Sequence, residues 1–130
     1  MKLFRKIPRK QLKKDPYRCV RNMIIKIMRQ IYLVDWVGGN YNSLWIKNVR
    51  VLLAPPNLYL TFMHLMTDDV AFLEKLRYSL KRQIELCGEP VISKIIVVVE
   101  STRYPETWMI EQGFTKNPDG TYRKEILLYR

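Results

Sequence analysis

The chain has 130 residues, of which 48% are hydrophobic and 27% charged, and its formal net charge is +11. That balance suits one compact core and excludes a disordered chain, which would have too little aliphatic and aromatic surface to bury. The longest apolar runs are too short to span a bilayer, and no apolar segment with a small-residue cleavage site follows Met1. A cytosolic protein is expected, or one assembled in a cytosol.

The charge is unevenly placed. Residues 1 to 30 carry eleven Lys or Arg against one acid, a balance of +10, whereas residues 31 to 130 carry twelve against eleven. A clustered positive field attracts polyanions with little demand on sequence, so nucleic acid, an acidic protein or a lipid surface is the expected partner. The candidate contacts are Lys2, Arg5, Lys6, Arg9, Lys10, Lys13, Lys14, Arg18, Arg21 and Arg29. A basic surface serving solubility alone is the competing reading. Cys19 and Cys87 stand far apart, without the dense spacing of a secreted disulfide framework or the paired spacing of a zinc site. Two buried thiols in a reducing compartment are expected.

In chain order, "MKLFRKI" reads as a short strand and "PRKQLKKDP" as a polar, proline-bounded connection, together a basic segment over residues 1–16. From Tyr17 to Leu33 an amphipathic helix is expected. On a 100° wheel Cys19, Val20, Met23, Ile24, Ile27, Met28 and Ile31 share one face, and Arg18, Arg21, Lys26 and Arg29 gather opposite. "DWVGGNYNS" is a turn, after which "LWIKNVRVLLA" and "LYLTFMHLM" read as an antiparallel pair joined at "PPN". "TDDVAFLEKLRYSLKRQIELCGEP" reads as one long helix, with Thr67, Asp68 and Asp69 as capping candidates and Gly88 as its stop. "VISKIIVVVE" is a buried strand near the centre of the sheet. A short helix, "PETWMIEQ", follows and ends at Gly113; "NPDG" then turns the chain into a last strand, "TYRKEILLY". The expected fold is a single-domain α/β mixed sheet with flanking helices over residues 17–130.

This order, above all "IIVVVESTRYPETWMIEQGFTKNPDGTYRKEILLY", resembles the C-terminal half of the GNAT superfamily of acyl-CoA N-acyltransferases. The resemblance covers residues 58 to 130, and residues 1 to 57 by element order alone. It implies an acyl-CoA N-acyltransferase-like fold whose two central strands part after Met66 and Glu100 to open a cofactor cleft. It also implies an Asn after the penultimate strand and, in the short helix, a Tyr acting as general acid. Thr102 and Met109 stand at those positions, and a thioether has no proton to give. Tyr104 and Glu100 are the remaining catalytic candidates, as acid and base. The family's glycine-rich loop cradles the coenzyme A pyrophosphate at a helix N-terminus. Its counterpart here, "HLMTDDVAF", has no glycine and places Asp68 and Asp69 where phosphate would sit, so backbone binding by Met66, Thr67 and Asp68 is disfavoured by geometry and charge.

His64, the one histidine, lies in an apolar strand with no triad or zinc partners nearby in sequence, and reads as a structural or cleft-lining residue. Trp108 reads as a packing aromatic. The second half also resembles small basic internal virion proteins of short-tailed phages, which implies a packaged-DNA setting. Two functions follow. One is a non-catalytic GNAT-like module without a cofactor, binding nucleic acid or an assembly partner through its basic N-terminal region. The other is an N-acyltransferase using acetyl-CoA through an atypical loop. A peripheral membrane role for the helix over residues 17–33 is a third reading.

Overall fold

The structure, a computed structural model, describes residues 15–129. The strand expected over residues 1–7 and the basic segment as far as Lys14 lie outside them. The first helix, α1, spans Pro16–Tyr32. Asp15 caps it by accepting the Arg18 amide at 2.9 Å, Pro16 supplies a first-turn residue that has no amide to satisfy, and Leu33 ends it in the left-handed region.

Four strands follow as an antiparallel meander: β1 (Gly38–Gly39), β2 (Ser43–Ile46), β3 (Val49–Ala54) and β4 (Asn57–Phe62). Helices α2 (Thr67–Lys81) and α3 (Gln83–Cys87) then carry the chain to β5 (Lys94–Val99), which runs parallel to β4. A short helix, α4 (Glu106–Glu111), leads to the hairpin β6 (Thr115–Lys116) and β7 (Tyr122–Leu127), with β7 lying beside β5. The sheet order is β1-β2-β3-β4-β5-β7-β6. The mixed α/β sheet expected from the sequence is therefore present, with one parallel pair among antiparallel neighbours.

One face of this sheet carries the core. Val20, Ile24 and Met28 of α1 join Phe72, Leu76 and Leu80 of α2 over Leu58, Leu60, Phe62, Ile95, Val97 and Val99, all buried in one cluster. Each such side chain contributes about 1.5–3 kcal/mol by leaving water. Among the described residues no helix packs on the opposite face.

Three expectations need correction. The run "LWIKNVRVLLA" is not one strand; Ile46 pairs with Val49 across a tight turn at Lys47 and Asn48. Asn48 secures that turn, because its side chain donates to the His64 carbonyl at 2.7 Å and its carbonyl accepts the Met63 amide at 2.9 Å. The long helix breaks at Arg82, whose backbone leaves helical geometry. Buried Gln83 stabilises the break: its amide group donates to the Glu89 carbonyl and accepts the Val91 amide at 2.7 Å, holding the returning chain.

The cysteines are the third correction. Cys19 on α1 and Cys87 at the end of α3 are joined in a disulfide, with Cα atoms 5.7 Å apart. The argument for a reducing compartment from two free thiols therefore falls. With a sequence separation of 68 between the bonded positions, the link stabilises the fold by about 4 kcal/mol in the chain-entropy account.

Candidate functional site

The resemblance leads one to expect a cofactor cleft where β4 and β5 end, and the hydrogen bonds there show how these strand ends are joined. Paired through Phe62 and Val99, the strands do not part beyond them. Glu100 donates its amide to the Phe62 carbonyl at 2.8 Å, and Leu65 donates its amide to the Ser101 carbonyl at 2.9 Å. Two hydroxyls close the rest: Ser101 Oγ donates to the Met63 carbonyl at 2.9 Å and Thr102 Oγ1 to the Leu65 carbonyl at 3.1 Å. A parallel bridge between Leu65 and Thr102 completes the seam. Backbone groups that an open cleft would present to a ligand are consumed by the protein.

The start of α2 is occupied in the same way. Asp69, only 2% exposed, accepts the Met66 amide at 2.8 Å and the Tyr32 hydroxyl at 2.6 Å. Burial, then the bond to Asp69, raises the Tyr32 phenol far above its ordinary range, so it stays protonated and donates. Met66 thus gives its amide to a carboxylate of its own helix, while Thr67 and Asp68 sit exposed at the first turn. Tyr32 was absent from the expected apolar face of α1. Its spacing of four from Met28 and eight from Ile24 was the available signal.

Above the seam lies an open depression of about 300 Å³, lined by His64, Met66, Thr67, Arg103, Tyr104 and Pro105 among others. Tyr104 stacks on Trp108 with ring centroids 4.1 Å apart, and its hydroxyl lies 3.4 Å from Thr67 Oγ1. Glu100 ends β5 in solvent and makes no side-chain hydrogen bond or ion pair among the described residues. The structure therefore joins Tyr104 to the start of α2, and gives Glu100 no such partner.

Parallel pairing also brings together His64 and Ser101, 37 residues apart, with Nδ1 2.8 Å from Oγ. The contact has the reach of a nucleophile and base, and extending the β4–β5 pairing by two residues would have found it. The Met63 carbonyl competes for the proton that role requires. Ser101 has one proton and two acceptors in reach, the Met63 carbonyl at 2.9 Å and His64 Nδ1 at 2.8 Å; donation to the carbonyl leaves His64 to meet the oxygen through Nδ1–H, with no free base there for the hydroxyl.

A smaller cavity of about 120 Å³ lies between α2, α4 and β7, walled by Leu73, Trp108, Phe114 and Ile126 with Arg77 and Lys124. Burial pushes the Lys124 ammonium below its ordinary range, and Arg77 adds in the same direction. Among the described residues no group of His, Cys, Asp or Glu is arranged to hold a metal ion.

Of the basic candidates, Lys2, Arg5, Lys6, Arg9, Lys10, Lys13 and Lys14 lie outside the described residues. Arg18 is exposed and pairs with Asp15 at 3.6 Å. Arg21 donates to the carbonyls of Tyr41 at 2.8 Å and Asn40 at 3.0 Å, so its charge anchors the β1–β2 turn. Arg29 is exposed, as is Lys26 three residues before it, and neither has an ion-pair partner among the described residues. No helix among the described residues is long and apolar enough to cross a membrane. No protein-family model, curated protein or solved structure matches the chain.

Proposed function

We propose that the chain is a non-catalytic module with a GNAT-like frame that binds nucleic acid through its basic N-terminal region. The observation that carries this reading is the outer stripe of α1. Arg18, Asn22, Lys26 and Arg29 recur at helical spacing on the exposed side, directly after a run of seven bases without an acid. A clustered positive charge of this kind meets phosphates, and its affinity falls with salt as counterions are released.

The GNAT-like part of the proposal is supported by the β4–α2–β5 unit, the short helix stopped at Gly113, and the closing hairpin. Leaving out coenzyme A is supported by the closed seam and by the Asp69 carboxylate on the Met66 amide. A virion protein beside packaged DNA is the setting that the phage resemblance suggests.

Fluorescence anisotropy with a labelled DNA duplex tests the binding. Retention at low salt is expected, with about a thousandfold loss between 50 and 200 mM if about six phosphates are neutralised. Deletion of residues 1–14 together with Lys26→Glu and Arg29→Glu should abolish it. Unchanged binding by that variant would overturn the proposal, as would no retention by the full chain. Heat of acetyl-CoA binding at millimolar ligand would instead restore the acyltransferase reading.

A further inference from the structure

We infer that the β2–β4 part of the outer sheet face, which no helix among the described residues covers, is a platform for single-stranded nucleic acid, with Trp45 and Tyr59 as base-stacking rings and Arg50 as a phosphate contact. The inference rests on the nucleic-acid reading above, and adds to it the strandedness of the ligand and a second surface. Successive side chains of a strand point to opposite faces, so the residues between the core positions share the outer one. Strand pairing aligns Trp45, Arg50, Thr61, Val98 and Arg123 in one row across that face. Ser43, Leu52, Tyr59, Ile96 and Glu125 form the next row.

Trp45 is 43% exposed and meets Trp36, 68% exposed, edge to face at a centroid distance of 6.0 Å. Leu52, 42% exposed, lies beside them on the same face, and grouped apolar side chains in water mark a contact surface. Gly38 seats the first of them, since a Cβ at that position would lie 2.7 Å from the Trp45 ring. Half-buried Tyr59 stands two strands away, about 10 Å across the sheet. Two rings on one sheet face can each take the face of any base, whatever its sequence.

The charge on this face complements the same ligand. Arg50 lies opposite Trp45, is exposed and has no ion-pair partner among the described residues. Lys94 and Arg123 share the single carboxylate of Glu125, at 3.2 and 2.9 Å, which leaves the face net positive. The basic helix α1 also meets the sheet at this edge. Tyr17 stacks on Tyr41 at 4.8 Å, and Arg21 holds the carbonyls of Asn40 and Tyr41 in the turn that leads into β2. The start of α1 thus sits beside the strand that carries Trp45. A duplex keeps its bases stacked inside and offers the rings little, whereas a single strand presents bases and phosphates together.

The test compares a labelled oligo-dT with a duplex of equal length, using the full chain and the variants Trp45→Ala, Trp45→Phe and Arg50→Glu. Trp45→Ala should weaken oligo-dT binding about tenfold and leave duplex binding unchanged. Trp45→Phe should retain most of the affinity, and Arg50→Glu, an exposed change that leaves the core untouched, should weaken oligo-dT binding and flatten its salt dependence. Oligo-dT affinity unchanged in both Trp45→Ala and Arg50→Glu would overturn the platform. If deletion of residues 1–14 still abolished binding, the reading under it would stand. Failure of the full chain to bind either probe at low salt would remove both. A self-associated chain that Trp45→Ala dissociates, with no change in oligo-dT binding, would assign the face to a second copy and overturn the inference.

Discussion

The Tyr32–Asp69 pair is the most informative place to perturb the structure, because it ties the end of α1 to the start of α2 inside the core. Tyr32→Phe deletes one hydroxyl and keeps the ring that packs against Phe72 at 5.5 Å. The deleted bond is short, at 2.6 Å, and made to a carboxylate that is 2% exposed. Hydrogen bonds to charged groups contribute about 1.5–3 kcal/mol, so a loss of about 2 kcal/mol is expected. For a chain of 130 residues the unfolding entropy is about 270 cal/mol/K, which turns that loss into a fall of about 7 °C in Tm. Asp69→Ala removes the cap on Met66, about 1 kcal/mol, and orphans the Tyr32 hydroxyl, about 2 kcal/mol more. In the double variant the hydroxyl is gone as well, so the total should be about 3 kcal/mol and not the sum of about 5. Urea unfolding of the four proteins measures this coupling. Losses that add to within about 0.5 kcal/mol would refute the pairing.

Four other outcomes follow from the same geometry. The native protein should show no free thiol in a colorimetric assay, and Cys19→Ala with Cys87→Ala should cost about 4 kcal/mol; two titrating thiols would exclude the bond. Lys124 should titrate below the ordinary lysine value of 10.5, so the unfolded chain holds that proton to higher pH and stability from this residue rises as pH climbs through its folded value. A methyl-lysine NMR midpoint at or above that of the unfolded chain would contradict this. Gly39→Ala should lower Tm, since Gly39 has φ +120° and a Cβ there would stand 1.9 Å from the Ser43 carbonyl oxygen; an unchanged Tm would show that this turn does not hold the edge. Thr102→Val should cost about 1–2 kcal/mol and speed hydrogen exchange at the Leu65 amide, and unchanged exchange would mean that Thr102 does not close the seam.

Local chemistry was legible where one residue type forces one outcome. Pro16, Gly88 and Gly113 bound helices as a missing amide or a left-handed backbone dictates, and the alternation Val49, Val51, Leu53 marks a strand with one buried face. What escaped depended on pairing at long range. Lys47–Asn48 contains no glycine and looks continuous with its apolar neighbours; the turn is secured by Asn48 binding residues 63 and 64, which no local window contains. The break at Arg82 was hidden because the helical spacing of Leu76, Leu80 and Cys87 runs straight through it, while the stabilising contacts of Gln83 reach to Glu89 and Val91. Cys19 and Cys87 meet where α3, beyond that break, ends against α1.

The candidate site divides along the same line. At the positions that the resemblance implies for a general acid and a cofactor loop, the residues themselves showed a Met109 with no proton to donate and an α2 loop without glycine. Only the paired strands show where the hydrogen-bonding capacity went. Ser101, Thr102 and Asp69 each hold a group of the kind that chemistry or a cofactor would need, and each gives it to the backbone around Met63, Leu65 or Met66. A hydroxyl has one proton, and a proton held by a carbonyl is not available to an imidazole. The seam is therefore stabilised by the groups that a working cleft would have to keep free. Uncommitted charge and aromatic surface lie elsewhere, at Lys26, Arg29, Arg50, Trp36 and Trp45, and it is from there that a binding function is to be sought.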